Sequence, residues 1–229
     1  MKYIVPVLFL IPLLLSCNAK PKSQADVDSS KIKDAPLSYT GPFDLAKLEF
    51  KENIPAVVKE QQIKLEAVTD TDKTLMGYER VKSYDAKALK YGSALLSGAD
   101  GNNKNYVLLH YDEKTNKLAF FEVILYTRDQ VNALHQELNS LGKPSFKKKW
   151  PDGSLTIDEN GNAVPPKPDE KQIVQIWDNQ PNGISYLYSQ KENGKSFGAT
   201  LTVLKKAGPS GKDWMTFSGL DWYKNTKSD

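Results

Sequence analysis

The stretch NYVLLHYDEKTNKLAFFEVILYTRDQVNALHQELNSLG, residues 105–142, decides how this chain folds. Its first seven residues alternate Tyr106, Leu108 and His110 against Val107, Leu109 and Tyr111, as a strand with two faces does. Residues 117–126 are apolar on both faces, which suits a strand inside a sheet. Asp112-Glu-Lys-Thr-Asn116 between them is short and polar, and Asn116 tolerates a left-handed backbone, so a hairpin is expected. The period then lengthens to the helical value of roughly 3.6. Val131, Leu134, Leu138 and Leu141 form one stripe, Thr127 and Gln130 have capping-box spacing, and Gly142 with Pro144 ends the run. A helix over residues 128–141, laid on a sheet, is predicted.

Working outward, residues 172–177, 184–190 and 199–205 read as strands joined at Pro181-Asn182-Gly183 and Glu192-Asn193-Gly194, a meander of antiparallel strands. Upstream, Asn53 caps a short predicted helix over 54–62 that admits Pro55 in its first turn. Strands are expected at 63–67, 75–82 and 89–97. The class is therefore α+β, with antiparallel sheet and few helices. Residues 41–229 suffice for one domain with a normal core, with 41–126 and 127–229 as two helix-plus-meander halves.

The amino terminus has a different character. Lys2 is basic and residues 4–15 are apolar, yet this run holds Pro6 and Pro12 and is too short for a hydrocarbon core needing about 20 residues. It reads as a signal peptide over residues 1–16, closed by Leu14-Leu15-Ser16-Cys17 with the chain's single cysteine. This ending resembles the lipobox of bacterial lipoprotein precursors, which implies cleavage before Cys17 and acylation of its thiol. Three acyl chains, as the resemblance implies, would hold the protein firmly, since each buried methylene contributes about 0.8 kcal/mol. Residues 18–40 are rich in Lys, Asp, Ser and Pro and read as a disordered tether. It would reach on the order of 25–30 Å from the lipid. Lipoproteins sent to the surface in some bacteria carry acidic residues directly after the cysteine. This chain reads Asn18-Ala19-Lys20-Pro21-Lys22, so a lipid-anchored domain facing the periplasm, on the cell membrane or outer membrane, is expected.

The two-unit outline also resembles the tandem layout of β-lactamase inhibitory proteins and the single-unit outer-membrane assembly lipoproteins. That resemblance implies a fold and leaves function open.

Composition narrows the chemistry. With Cys17 lipidated, the mature chain has no thiol for a disulfide, a thiolate metal site or a cysteine nucleophile. Loss of Lys2 leaves 30 of the 31 basic residues against 28 acidic ones, and only Arg80 and Arg128 are arginine, so nucleic acid is not an expected partner. His110 on a strand and His135 beside the helical stripe read as core or boundary residues, and no HExxH, GxSxG or P-loop pattern is present. Gly208-Pro-Ser-Gly-Lys212 reads as a turn, and Asp158-Glu-Asn-Gly-Asn162 as a hairpin turn, its glycine misplaced for a calcium loop. No catalytic residue, metal or cofactor is assigned. Aromatic residues in polar stretches are the candidate binding groups: Trp150, Trp214, Trp222 and Tyr223. The expected function is a non-catalytic, membrane-anchored envelope lipoprotein that binds a protein or assists assembly; the alternative is a glycan-binding or glycan-processing lipoprotein using those aromatics.

Overall fold

The computed structural model describes residues 41–66, 77–150, 156–157, 163–164, 170–178, 180–194, 196–208 and 211. Its main strands are β1 (Tyr78–Ser83), β6 (Tyr106–Asp112), β7 (Leu118–Leu125), β8 (Phe146–Trp150), β11 (Glu170–Trp177), β12 (Ile184–Asn193) and β13 (Ser196–Lys205). Two-residue strands form small hairpins: β2 (Lys90–Tyr91) with β3 (Ala94–Leu95), β4 (Ala99–Asp100) with β5 (Asn103–Lys104), and β9 (Thr156–Ile157) with β10 (Ala163–Val164). The helices are α1 (Ile54–Glu60) and α2 (Arg128–Asn139).

The seven long strands form one antiparallel sheet in the order β1-β6-β7-β13-β12-β11-β8. Each half supplies a helix and a meander, and the meanders join where β7 pairs with β13, Thr202 opposite Glu122. The fold is α+β, as its alternating strands and single strong helical stripe predict.

The expected hairpin of residues 105–126 is present, with Asn116 at φ 57° and its N–H bonded to the Asp112 carbonyl at 2.7 Å. Asp112 Oδ1 gathers Thr115 N–H and Lys114 N–H, which fixes the turn from inside. A bulge follows His110, where Tyr111 pairs with Leu118 and Ala119 is the extra residue.

Helix α1 starts as expected, Asn53 Oδ1 accepting the Ala56 N–H at 3.0 Å. In α2, Val131, Leu134 and Leu138 are buried against the sheet, each contributing about 1.5–3 kcal/mol relative to exposure. It ends at Asn139, two residues before the expected Leu141, because Leu141 N–H and Gly142 N–H reach back only three residues, tightening the last turn. Gly142, at φ 88°, completes the stop. The capping box does not form: Thr127 makes no side-chain cap bond, and its hydroxyl takes Asn105 Nδ2 at 2.6 Å instead.

Two expected strands are corrected. Residues 63–66 are not a strand: Gln62 turns left-handed at φ 52°, and Lys64 N–H is taken by Asp85 Oδ2. Ile63 is buried while Leu65 is exposed, so the alternation there does not mark one face. The single strand over 89–97 is a hairpin, folded back at Gly92, whose φ of 61° suits glycine. It docks on α2 through Glu137 Oε1, which accepts Ser93 N–H at 3.1 Å and the Ser93 hydroxyl.

Strand alternation gives the sheet two faces. Val107, Leu109, Phe121, Val123, Leu125, Leu201 and Val203 point to one, where both helices pack in the main core. Trp177 lies in the same core, and its Nε1–H bonds the Gly142 carbonyl at 2.9 Å, pinning the end of α2 over β11. The opposite face, called outer here, carries Leu108, His110, Phe120, Glu122, Ile124, Thr200, Thr202 and Leu204. Among the described residues, no helix is long and apolar enough to cross a membrane.

Candidate functional site

The outer face holds an unusual polar group. His110 is buried, its ring stacked on Phe120 with centroids 3.9 Å apart and planes 11° from parallel. Its Nε2 lies 3.1 Å from Glu122 Oε2, across the β6–β7 ladder. Burial pushes the imidazole below its ordinary pKa more strongly than Glu122 raises it. At neutral pH the contact is therefore a hydrogen bond from a neutral ring, not an ion pair. Nδ1 then has no hydrogen-bond partner among the described residues. The other carboxylate oxygen of Glu122 lies 3.5 Å from Thr202 Oγ1 on β13, so three neighbouring strands contribute to one cluster.

Beside this cluster runs a groove of about 450 Å³. Ile124 and Leu187 supply apolar floor, Glu122 and Lys191 supply one charge of each sign, and Ser189, Thr200 and Thr202 supply hydroxyls. Tyr126 walls the groove with Gly198 beside its ring, where a Cβ would make ordinary contact with Tyr126 Cδ1 at 3.9 Å. Tyr126 N–H is held by buried Asn105 Oδ1 at 2.7 Å.

Tyr126 also ends a row of tyrosines. Tyr84 and Tyr106 meet edge-on at 5.5 Å, and Tyr106 and Tyr126 lie 6.5 Å apart. Lys82 Nζ sits over both Tyr84 and Tyr106, 4.7 and 4.3 Å from the ring centres. Burial, then the Tyr126 phenol beside it, pushes the Tyr106 pKa up to about 12, so it remains a neutral hydrogen-bonding group.

A second cavity, about 510 Å³, opens at the start of α2 and shares Tyr126 as a lining residue. Arg128 there stacks over the Phe197 ring at 4.3 Å and pairs with Glu192 at 2.6 Å. Both ends of that pair are substantially exposed, so it contributes little to stability.

The sequence-selected residues fare unevenly. Trp150 closes β8 opposite Gln172 by its backbone, whereas Cys17, Trp214, Trp222 and Tyr223 lie outside the described residues. His135 is the satisfied boundary residue expected, its Nε2 2.7 Å from Gln175 Oε1 and its ring edge-on to Tyr188. His110 is buried as expected, but its partner Glu122 was not singled out by any motif. Residues 158–162 lie outside the described residues, and the strands flanking them, β9 and β10, pair antiparallel. Among the described residues, no group of three or more His, Cys, Asp or Glu could hold a metal ion. The tyrosine row escaped sequence reasoning because its members lie on three separate strand ends. The available signal was modest: Tyr106 and Tyr126 flank one hairpin at matching depth.

No protein-family model, no curated protein and no solved structure matches the chain.

Proposed function

We propose that this chain is a bacterial lipoprotein, held to the cell membrane or outer membrane by lipid on Cys17, whose α+β domain is a non-catalytic binding or assembly module facing the periplasm. The observation that carries the anchor is Leu14-Leu15-Ser16-Cys17 closing a basic-then-apolar leader. The domain's part rests on the outer face, where a groove is lined by apolar, hydroxyl and charged groups. Non-enzymatic binding fits that lining, because among the described residues Glu122 is the one carboxylate in it and hydrolysis of a glycosidic bond ordinarily uses two flanking the scissile bond.

Cells fed a clickable fatty acid test the anchor. The parent protein is expected to label and to partition with membranes, and Cys17→Ser to do neither. An unlabelled parent refutes the reading. A crosslinker placed at Leu187 then tests the binding surface: a specific envelope protein trapped there supports a protein-binding role. The glycan-binding alternative is favoured by the tyrosine row bordering the groove.

A further inference from the structure

We infer that the outer-face groove is a carbohydrate subsite that takes a neutral oligosaccharide, one sugar ring set against Tyr126 and its hydroxyls bonded to Glu122 and Thr200. The inference rests on the reading of the domain as a non-catalytic binding module and names its ligand class.

The lining matches a sugar in kind. A pyranose has an apolar C–H face and a rim of hydroxyls that both donate and accept. The groove offers a tyrosine ring with a glycine beside it, an apolar strip at Ile124 and Leu187, and hydroxyls from Ser189, Thr200 and Thr202. Its volume of about 450 Å³ falls within the range of small-ligand sites, about 300–1,000 Å³. Glu122 and Lys191 offset each other, so a phosphate or nucleic acid finds no surplus of positive charge.

The polar cluster behind the groove strengthens the case. Burying His110 with Nδ1 unpartnered among the described residues is unfavourable, and an apolar pair in place of both His110 and Glu122 would stabilise the sheet as well or better. What His110 provides is a fixed carboxylate. With Oε2 held by the imidazole and Oε1 near Thr202, Glu122 is set in one orientation before any ligand arrives. Pre-organisation of this sort lowers the ordering cost of binding. Because Tyr126 also lines the cavity beside α2, a chain of sugars could continue past it toward Arg128 and Asp100.

The test uses the full chain in a detergent without a sugar headgroup, titrated calorimetrically with N-acetylated chitotetraose and with maltotetraose. At least one is expected to bind, with Tyr126→Ala weakening it roughly tenfold or more. Glu122→Ala should weaken it several-fold, and Leu95→Ala, on an exposed residue far from the groove in the β2–β3 hairpin, should leave it unchanged. Circular dichroism identical to the parent shows that each variant is folded, and Tyr126→Phe, which keeps the ring, should retain most binding. Absence of binding to both sugars up to about 10 mM, or equal affinity in folded Tyr126→Ala, overturns the inference. If fatty-acid labelling persists in that case, only this subsite fails and the lipoprotein reading stands. Cleavage of the bound sugar would instead overturn the non-catalytic reading while leaving the subsite in place.

Discussion

Replacing Asn105 by Asp tests the joint that carries Tyr126. Asn105 is 1% exposed and sits where β5, β6, the end of β7 and α2 converge. Its amide donates to the Leu96 carbonyl at 2.9 Å and to Thr127 Oγ1 at 2.6 Å, and its oxygen accepts Tyr126 N–H at 2.7 Å. Aspartate keeps the last of these. Its second oxygen, however, faces the Leu96 carbonyl, which has no proton to give, while Thr127 can turn its hydroxyl to donate. One lost bond with an orphaned acceptor costs about 1–3 kcal/mol, and burial of an unpaired charge adds to it. We expect Asn105→Asp to lose about 3–4 kcal/mol at neutral pH.

The loss should depend on pH, with a definite sign. Burial and the Leu96 carbonyl raise the folded pKa of the new carboxyl above its unfolded value, so the protonated form is favoured in the fold. Its contribution is full below the unfolded pKa and lost as pH rises through the folded one. The gap between variant and parent should therefore narrow by up to about 1.4 kcal/mol per pH unit between pH 7.5 and pH 5. Urea unfolding of residues 17–229 carrying Cys17→Ser, followed by tryptophan fluorescence, measures it. A gap below about 1 kcal/mol, or one that stays constant with pH, would refute the hydrogen-bond account of this joint.

The parent protein should itself show acid sensitivity from His110, whose folded pKa is depressed. That stability is fully present above the ordinary value of 6.5 and is lost as pH falls through the folded one. His110→Gln, which keeps a donor for Glu122, should flatten the stability curve between pH 6.5 and about 4.5, where the lowered carboxylates of Asp85 and Asp112 are not yet protonated. Equal slopes in the two proteins over that window would contradict the assignment. Gly92→Ala should cost about 1–3 kcal/mol, because a Cβ there is strained at φ 61° and runs into the Glu137 carboxylate. The penalty should shrink in a Glu137→Ala background, where only the backbone term remains, and additive losses would show that the clash is relieved elsewhere.

What could be read in the sequence is what depends on neighbours along the chain. Asn116 turns the hairpin, the alternation of residues 106–111 makes a strand, and Val131, Leu134 and Leu138 bury one helical face, because hydrophobic period and turn chemistry act over a few residues. Where those signals were overruled, a distant group intervened. Thr127 gives its hydroxyl to Asn105 in place of its own helix, and Lys64 N–H is captured by Asp85 before a strand can form.

The proposed leader over residues 1–16, with Cys17 after the cut, likewise rests on the sequence alone, since length and charge are what separate a signal peptide from a span. The tertiary structure decided the candidate site. Glu122 meets Thr202 across 80 residues of chain, and Tyr84, Tyr106 and Tyr126 come together from separate strand ends. Those meetings depend on register, and a shift of one residue in the β7–β13 pairing would turn each side chain to the other face. Register is set by how the two meanders bury their shared core, a property of the whole sheet that no local window of residues contains.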